Sequence, residues 1–427
     1  MKRLLSIVLA LLMLVGCAEA MAEEQTTLYW IHPYAEDHAI SRDIAATVEK
    51  YQQEVDPNLV YQPENIADQE AYYQKLKILI ASNEMPDLFW GDPDTFTKGL
   101  RDQGLIYNMG EMLDELKLTD YFMDITYAYP KYDDGSLYLM TTGANTEYFF
   151  YHPSLFEKAG IEKVPATWAE FYEVCDKLKA AGITPLTAQG QAWYILRYAA
   201  FIPYRMTGNQ FIDDAVKGKV SWGSEPGIAM GEFLQKLSNE YFIEGWAGLD
   251  ASTARDYFLN NGTAMWYMTL STAATYVKDE NNELLSDIAY FKLPMLDGYD
   301  ITTESDYFAN SGKGIMISSD TVAKNKELIT SFVEYFVKNF GDIALYECDY
   351  LSGIQPANTQ DMSEFYKEMY KNFQEVGVDK YCHCWDVVID SVSRETLTAE
   401  IMNLAIGAIT PQEFATRMDA AIEENVD

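Results

Sequence analysis

Residues 27–94 alternate short β-rich runs with segments of helical periodicity, and this order restricts the fold more than any other feature of the chain. In the two helical segments apolar residues recur about every three or four positions, as on the buried face of a helix. The βαβαβ order predicts a mainly parallel sheet with helices on both faces. In chain order these segments are Thr27–Ile31, Ala39–Val55, Asn58–Tyr61, Gln69–Ala81 and Pro86–Trp90.

Similar patterns continue along the chain, and its last third is mostly helical. Thr167–Glu170 and Thr410–Glu413 have the spacing of a capping box at a helix start. Apolar spacing predicts an amphipathic helix over Lys324–Asn339. The chain has 427 residues, more than one hydrophobic core usually serves, so we expect two lobes. Further strands are expected at Leu137–Met140, Tyr148–Tyr151, Thr263–Met268, Ile288–Leu293 and Gly314–Ile317.

The first residues have the order of a secretory leader, in which a basic start precedes a short apolar run. The run Leu4–Val15 is too short to span a bilayer, which needs about 20 apolar residues. It ends in Leu-Val-Gly before Cys17, an order that resembles the lipobox of bacterial lipoproteins, where this Cys is acylated. We therefore expect a signal peptide over residues 1–16, an acylated Cys17, and a tether over residues 17–25. This lipid would attach an extracytoplasmic protein to the cell membrane.

The net charge of −35 argues against a nucleic-acid partner, because such binding depends on Lys and Arg that neutralise phosphates. It also argues against a strongly anionic ligand unless basic residues are concentrated locally. No second apolar run is long enough for a membrane span, so the lipid is the only membrane attachment we expect. Aromatic residues make up 14% of the chain, which indicates a well-packed globular protein. We also expect the protein to be a monomer.

Four cysteines remain when Cys17 is set aside, and their spacing is not that of a disulfide scaffold. Cys175 lies in a helical pattern and is expected to be a small buried residue. The run Cys382-His383-Cys384 resembles metal ligands, but a structural zinc site usually needs four and no second cluster follows. We predict neither a metal site nor a cofactor. A disulfide between Cys348 and Cys382 or Cys384 stays open at this point.

Four segments, in order along the chain, resemble one family. With these segments the chain resembles the extracellular solute-binding proteins of bacterial ABC importers, in the sugar-binding, maltodextrin-binding-protein-like branch. The chain departs from the family where His152 replaces the usual Asn, and where Trp266 directly follows Ala264-Met265. The segments are Met85–Trp90 with Gly104–Ile106, Phe149–Phe171, Gly262–Met265, and Asn325–Leu328 with Phe332 and Phe336.

The resemblance implies an α/β fold of the type II periplasmic-binding-protein kind, in which two lobes are joined by hinge strands. Each lobe would be a mainly parallel sheet flanked by helices. By this analogy lobe one comprises residues 26–142 and 293–335, and lobe two comprises residues 143–292 and 336–427. The resemblance also implies a binding protein without catalytic activity that delivers its ligand to the permease of the importer.

Ligands of open α/β sheets bind beyond the carboxyl ends of the strands, which selects candidate residues independently of the family. A carbohydrate suits them, because a flat aromatic ring covers the C–H face of a pyranose while carboxylates and amides bond its hydroxyl rim. Each Trp position also suits a residue that packs in the core. The candidates are His32, Tyr34, Glu36, Trp90, Asp92, Asp94, Asn145, Trp193, Tyr194, Trp266, Tyr267, Trp385 and Asp386.

Two alternatives stay open. Glycosidases use two carboxylates about 5–5.5 Å or 6.5–9.5 Å apart, but 66 Asp and Glu residues supply such pairs by chance. The sequence has no nucleophile elbow, phosphate loop or zinc-protease helix motif. The same fold also binds non-sugar solutes such as a peptide, a polyamine or a metal. Clustered carboxylates around the cleft would favour a cationic solute, and single acids mixed with amides would favour a sugar.

Overall fold

The computed structural model of the chain describes residues 25–425 except 133, 144, 307 and 379. The signal peptide and Cys17 lie outside the described residues. The strands are β1 Thr26–His32, β2 Leu59–Asn65, β3 Leu88–Gly91, β4 Met140–Thr141, β5 Asn145–Tyr151, β6 Leu186–Thr187, β7 Met265–Thr269, β8 Ala289–Phe291, β9 Ala309–Asn310 and β10 Gly314–Ile317.

Most helices begin and end close to the predicted positions where a sequence pattern was available, but the helix predicted over Lys324–Asn339 spans Ser319–Glu347, with non-helical backbone at Asn325. None in the described ranges has the length and apolar character that a membrane crossing requires. They are α1 Ala39–Glu54, α2 Gln69–Ala81, α3 Thr95–Asp102, α4 Met109–Glu115, α5 Asp124–Ala128, α6 Pro153–Lys158, α7 Trp168–Ala180, α8 Ala192–Thr207, α9 Gln210–Ala215, α10 Glu225–Glu240, α11 Ala251–Leu259, α12 Leu270–Val277, α13 Ser319–Glu347, α14 Glu364–Glu375, α15 Trp385–Val388, α16 Ser391–Ala405 and α17 Pro411–Asn425.

The first sheet has the order β2-β1-β3-β10-β4. Strand β1 pairs in parallel with β2 and β3, as the βαβαβ pattern predicts. Strand β10 returns from the far part of the chain and is antiparallel to both β3 and β4. The strands from the N-terminal part of the chain, β1, β2 and β3, are therefore parallel to one another, and β10 runs in the opposite direction.

The second sheet has the order β6-β7-β5-β8, with β9 pairing on β5. Strands β6 and β7 are parallel, whereas β5 is antiparallel to β7, β8 and β9. The residues from Thr146 to Phe150 of β5 are all buried, because helices or strands cover both of its faces. The α/β class is confirmed, with more antiparallel pairing than the sequence pattern alone indicates.

The Thr cap forms at both predicted helix starts, and the reciprocal Glu bond of a capping box forms at the second, whereas at the first the Glu170 carboxylate accepts from the Ala166 amide at 2.7 Å. The Thr167 hydroxyl accepts a hydrogen bond from the Glu170 amide at 3.3 Å, at the start of α7. Before α17, the Glu413 amide donates to the Thr410 hydroxyl at 3.2 Å, and the Glu413 carboxylate accepts from the Thr410 amide at 2.8 Å. These bonds satisfy backbone donors that a helix N-terminus leaves free.

Each sheet has its own hydrophobic core. The first core includes Trp30 and Trp90, and helix α13 packs on it through Phe332, Phe336 and Phe340. The expected division at residues 335 and 336 therefore falls inside a helix whose apolar face continues without interruption. The second core includes Trp168, Trp266 and Trp385, and it also takes in Leu293 and Phe308.

The segment 293–306, expected to belong to lobe one, is attached to the second core by Arg205. This guanidinium is almost fully buried in α8. It donates to the carbonyl oxygens of Leu293 at 2.7 Å, Pro294 at 3.0 Å and Asp306 at 2.7 Å. A buried cation needs such acceptors on all sides, so the segment stays with the second sheet until it crosses at β9.

Candidate functional site

A cleft of about 380 Å³ lies where strands from both sheets reach their ends. Tyr34 and Asp92 follow the carboxyl ends of β1 and β3, and Lys313 directly precedes the antiparallel β10 at the same edge. Helices α8 and α16 and the short α15 supply the opposite wall. The lining residues are Tyr34, Gln69, Asp92, Tyr129, Trp193, Arg197, Asn310, Gly312, Lys313, Cys384, Asp386, Val387, Arg394 and Thr398.

On the wall of the first sheet, Asp92 is paired with a cation. The Lys313 ammonium forms a salt bridge with its carboxylate, and the Tyr73 hydroxyl donates to Asp92 Oδ2 at 3.1 Å. Burial alone would raise the pKa of Asp92, but Lys313 and the Tyr73 hydrogen bond outweigh it and hold that pKa below its ordinary value. Asp92 is therefore an ionised acceptor with fixed geometry.

On the wall of the second sheet, Arg197 joins two carboxylates. Its Nε lies 3.2 Å from Glu147 Oε1, and its Nη1 lies 3.3 Å from Asp386 Oδ1. The Tyr267 hydroxyl donates to the other Glu147 oxygen at 2.8 Å. Since Glu147 is fully buried behind Arg197, Asp386 is the carboxylate of this group that meets the cleft.

Two aromatic rings of the cleft come from opposite walls. The Tyr34 ring packs edge-on against Trp90, with ring centroids 5.4 Å apart. Trp193 is held by a hydrogen bond from its Nε1 to Gln191 Oε1 at 3.1 Å, and the Arg197 guanidinium lies 5.9 Å from its ring centroid. Both rings are partly exposed, so each has surface available to a ligand.

The predicted residues His32 and Trp90 lie behind this wall, in the first core. Trp90 is fully buried and stacks on Trp30, and its Nε1 donates to His32 Nδ1 at 3.2 Å. The other ring nitrogen of His32 lies 2.9 Å from the Tyr61 hydroxyl. Burial lowers the pKa of His32 to about 3, so the ring is neutral. Trp90 supports the Tyr34 ring from behind, and neither Trp90 nor His32 lines the cleft.

Four further candidates lie in the second core. Trp266 and Trp385 are buried, and they pack against Phe258 and Trp222 respectively. Tyr194 and Tyr267 are also buried, and the Tyr194 hydroxyl donates to the Tyr267 carbonyl oxygen. A residue at a strand end or helix start can point its side chain either into the core or into the cleft. In these four residues the side chain points into the core.

The remaining three candidates are not among the residues that line the cleft. Glu36 is exposed in the loop after β1. Asp94 caps α3 by accepting from the Thr97 amide at 3.0 Å. Asn145 begins β5 and its side-chain nitrogen lies 3.5 Å from Asn310 Oδ1, where the chain crosses between the sheets. Four of the predicted residues, Tyr34, Asp92, Trp193 and Asp386, therefore line one cleft together.

The sequence reasoning missed the cations of the cleft. Arg197 lies in a largely apolar helix whose only other charge is Arg205, and a charge at such a buried position is a usable signal because it requires a partner. Lys313 and Arg394 carry no comparable signal, since they lie in or next to polar segments. Tyr129 was missed because no strand end precedes it.

The thiols and the charged groups do not form a metal centre in the described part of the chain. No group of three or more His, Cys, Asp or Glu residues there has the arrangement to hold an ion. Cys175, Cys348, Cys382 and Cys384 are buried and free, so no disulfide joins Cys348 to the later pair.

The family model for bacterial extracellular solute-binding proteins matches residues 37–339. Solved structures share the fold at low identity. A protein of xylan utilisation by Caldanaerobius polysaccharolyticus has a TM-score of 0.78 and 21% identity, covering 92% of this chain and 99% of its own. A chitin oligosaccharide binding protein has a TM-score of 0.79 and 20% identity, covering 94% and 98%.

The acarbose-binding GacH receptor of Streptomyces glaucescens has a TM-score of 0.70 and 16% identity, covering 94% of this chain and 98% of its own. The comparison with curated proteins gave no significant match. The matched family model spans more than half of the chain. The protein belongs to the family of bacterial extracellular solute-binding proteins.

Proposed function

We propose that this protein captures a carbohydrate in the cleft between its two sheets and delivers it to the permease of an ABC importer. The observation that carries the proposal is the pairing of charges in the cleft. Asp92 is paired with Lys313, and Asp386 with Arg197. Each carboxylate is therefore held in a fixed orientation as a hydrogen-bond acceptor, and its charge is already balanced by a protein cation. Such groups bond hydroxyls strongly, and Tyr34 and Trp193 offer rings for the C–H faces of a sugar.

The solved structures with this fold support the same ligand class. Their descriptions name xylan utilisation, chitin oligosaccharides and acarbose. These ligands share sugar rings with an apolar face and a hydroxyl rim. The amides of Gln69 and Asn310, which also line the cleft, suit such a rim.

A cationic solute such as a polyamine fits this cleft less well. It would need carboxylates free of internal partners, whereas Asp92 and Asp386 already face Lys313 and Arg197. Arg394 adds a third cation to the lining. The charges are thus mixed, which is the arrangement that favours a neutral polar ligand.

The test of the ligand class is a thermal-shift screen followed by calorimetry. The glycan panel contains xylo-, chito- and malto-oligosaccharides of one to four units, and spermidine and short peptides serve as comparison compounds. A glycan at 100 times its Kd should add about 2.7 kcal/mol to the free energy of unfolding. Stabilisation by spermidine or a peptide, with none by any glycan, would reject the carbohydrate.

We propose binding without turnover. General acid catalysis of glycoside cleavage needs a carboxyl with a raised pKa next to a free carboxylate. In the cleft the pKa of Asp92 is held below its ordinary value by Lys313 and Tyr73 against the effect of burial, and Asp386 is bound to Arg197. Chromatography of the stabilising glycan after long incubation should show no product. Product that disappears in the Asp92→Asn variant would establish an enzyme.

We also propose that Cys17 is acylated and anchors the protein outside the cell membrane, as a monomer with no nucleic-acid partner. The proposal rests on the lipobox-like order that ends at Cys17. Cys17→Ala should release the protein into the medium or leave its leader uncleaved. A Cys17→Ala protein that remains in the membrane fraction with a processed N-terminus would contradict the anchor.

A further inference from the structure

A second cavity of about 260 Å³ adjoins the cleft and has a different lining. The two cavities share Tyr129, Cys384 and Val387, so they are neighbouring compartments of one space. We call this cavity the side compartment. Its lining adds Tyr132, Tyr381 and His383 to the shared residues.

Both lobes contribute to the side compartment. Tyr132 packs against the first core, and Tyr381 packs against the second. The rings of Tyr129 and Tyr381 lie 5.5 Å apart between their centroids, and Tyr381 is 5.3 Å from the His383 ring. Aromatic surface therefore extends from the cleft into the compartment without interruption.

The polar groups of the compartment differ from those of the cleft. The Tyr132 hydroxyl oxygen is buried and has no hydrogen-bond partner among the described residues. His383 is fixed by Nδ1, which lies 3.0 Å from Asp213 Oδ1, and by its amide, which donates to Asn209 Oδ1.

Among the residues that the structure describes, no carboxylate lines the side compartment, and Lys131 contributes the one ammonium of the described lining. Its lining combines tyrosine rings with the imidazole of His383 and the ammonium of Lys131, which suits a neutral ring with a hydroxyl rim. The cleft, at about 380 Å³, lies near the lower end of the range of about 300–1,000 Å³ for small-molecule sites, and the side compartment, at about 260 Å³, lies below it. The two in series fit a ligand made of linked rings better than one large group.

We infer that the side compartment binds a second sugar ring, so that the natural ligand is an oligosaccharide of at least two units. This inference rests on the proposed function, since it assigns a further unit of the same ligand. One unit lies between Tyr34 and Trp193, and the next lies against Tyr129 and Tyr381.

The test is calorimetry of the chain-length series of the stabilising glycan. The wild-type protein should bind the two- or three-unit sugar at least tenfold more tightly than the monosaccharide. Tyr381→Ala should reduce the affinity for the longer sugar about tenfold and leave monosaccharide affinity unchanged. Tyr381→Phe, which keeps the ring, should retain most of the length preference. Tyr299→Ala, at an exposed tyrosine outside both compartments, is the matched control.

A second variant keeps the test decisive if Tyr381→Ala fails to fold. Val388 lies at the rim of the compartment and is 37% exposed, so Val388→Trp fills the space without disturbing the core. It should abolish the length preference. A wild-type protein that binds monosaccharide and oligosaccharide equally overturns the side compartment alone. A protein that binds no member of the panel overturns the proposed function.

Discussion

Asp43 is a carboxyl buried in α1 beside Cys348. Burial raises the pKa of Asp43 to about 8, and the smaller effects of Cys348 and Arg42 offset only part of the rise. In the unfolded chain the pKa of Asp is about 3.9. Between these values the folded protein binds more protons than the unfolded one, so the free energy of unfolding falls as pH rises from about 4 to about 8.

We expect the wild-type free energy of unfolding to decrease by a few kcal/mol between pH 5 and pH 8. Asp43→Asn resembles the protonated acid and should lose this part of the dependence. Urea unfolding of both proteins at the two pH values measures the difference. Parallel curves for the wild type and the variant would show that Asp43 is ionised in the folded protein.

Trp193 and Trp266 illustrate the two roles, ligand contact and core packing, that the sequence could not distinguish. Trp193 is partly exposed in the cleft, whereas Trp266 is buried in the second core. Trp193→Ala should weaken glycan binding by about 2–4 kcal/mol and change stability little. Trp266→Ala should lower the free energy of unfolding by about 3–5 kcal/mol. Calorimetry and urea unfolding of each variant check both values, and equal affinity for Trp193→Ala and the wild type would remove Trp193 from the site.

At this scale the sequence identified residue types and strand ends but not side-chain directions. Asp92 and Trp90 are two positions apart, yet one faces the cleft and the other the core. A side chain at a strand end can point into the core or into the cleft. Trp90 points into the core, where it packs against Trp30 and Tyr34. The partners of Asp92 and Asp386 are distant in the chain, so a single sequence gives no means of pairing them.

Among the elements, the segments that cross between the sheets pack backbone against backbone. A Cβ atom added at Gly143 would lie 2.5 Å from the carbonyl oxygen of Ser311. The same added atom at Gly353 would lie 2.2 Å from the carbonyl oxygen of Gly143. Three crossing segments therefore meet here, and at two of the contact positions, Gly143 and Gly353, only glycine fits.

Gly143→Ala should destabilise the protein by about 1–3 kcal/mol, because the crossing segments must separate to admit a methyl group. Gly99→Ala is the matched control, since nothing lies within 4 Å of its added Cβ in helix α3. That change should be neutral or stabilise by up to about 1 kcal/mol, as alanine favours a helix interior. Thermal unfolding of the two variants gives the comparison, and equal Tm values would disprove the close packing of the crossing.

The positions of strands and helices could be predicted from the sequence better than the pairing of the strands within each sheet. The strands β1, β2 and β3 and the helices between them agree with the βαβαβ pattern to within a few residues. The antiparallel return of β10 could not be predicted, because strand direction in a sheet depends on partners about 200 residues away and not on local spacing. Helix α13 extends beyond its predicted end since its buried face continues to Leu345.

For the whole molecule, one ion pair spans the two lobes at the edge of the cleft. Arg394 of α16 lies on the second lobe, and its Nη1 is 3.9 Å from Oδ2 of Asp94, which caps α3 on the first lobe. Both side chains are partly shielded from water. A contact of this kind exists only while the lobes are close, so it favours the closed arrangement over an open one.

Arg394→Ala should therefore shift the protein without ligand toward a more open arrangement and weaken glycan binding by about two- to fivefold, the effect of a partly exposed ion pair. Salt screens such a pair, so the difference from wild type should shrink between 20 and 300 mM NaCl, where the Debye length falls from about 20 Å to about 6 Å. Arg417→Ala is the control, because its guanidinium pairs with Glu400 inside the second lobe at 2.6 Å. Calorimetry at both salt concentrations and small-angle scattering measure the two effects. If Arg394→Ala and Arg417→Ala behave alike in both, the pair between the lobes does not influence closure.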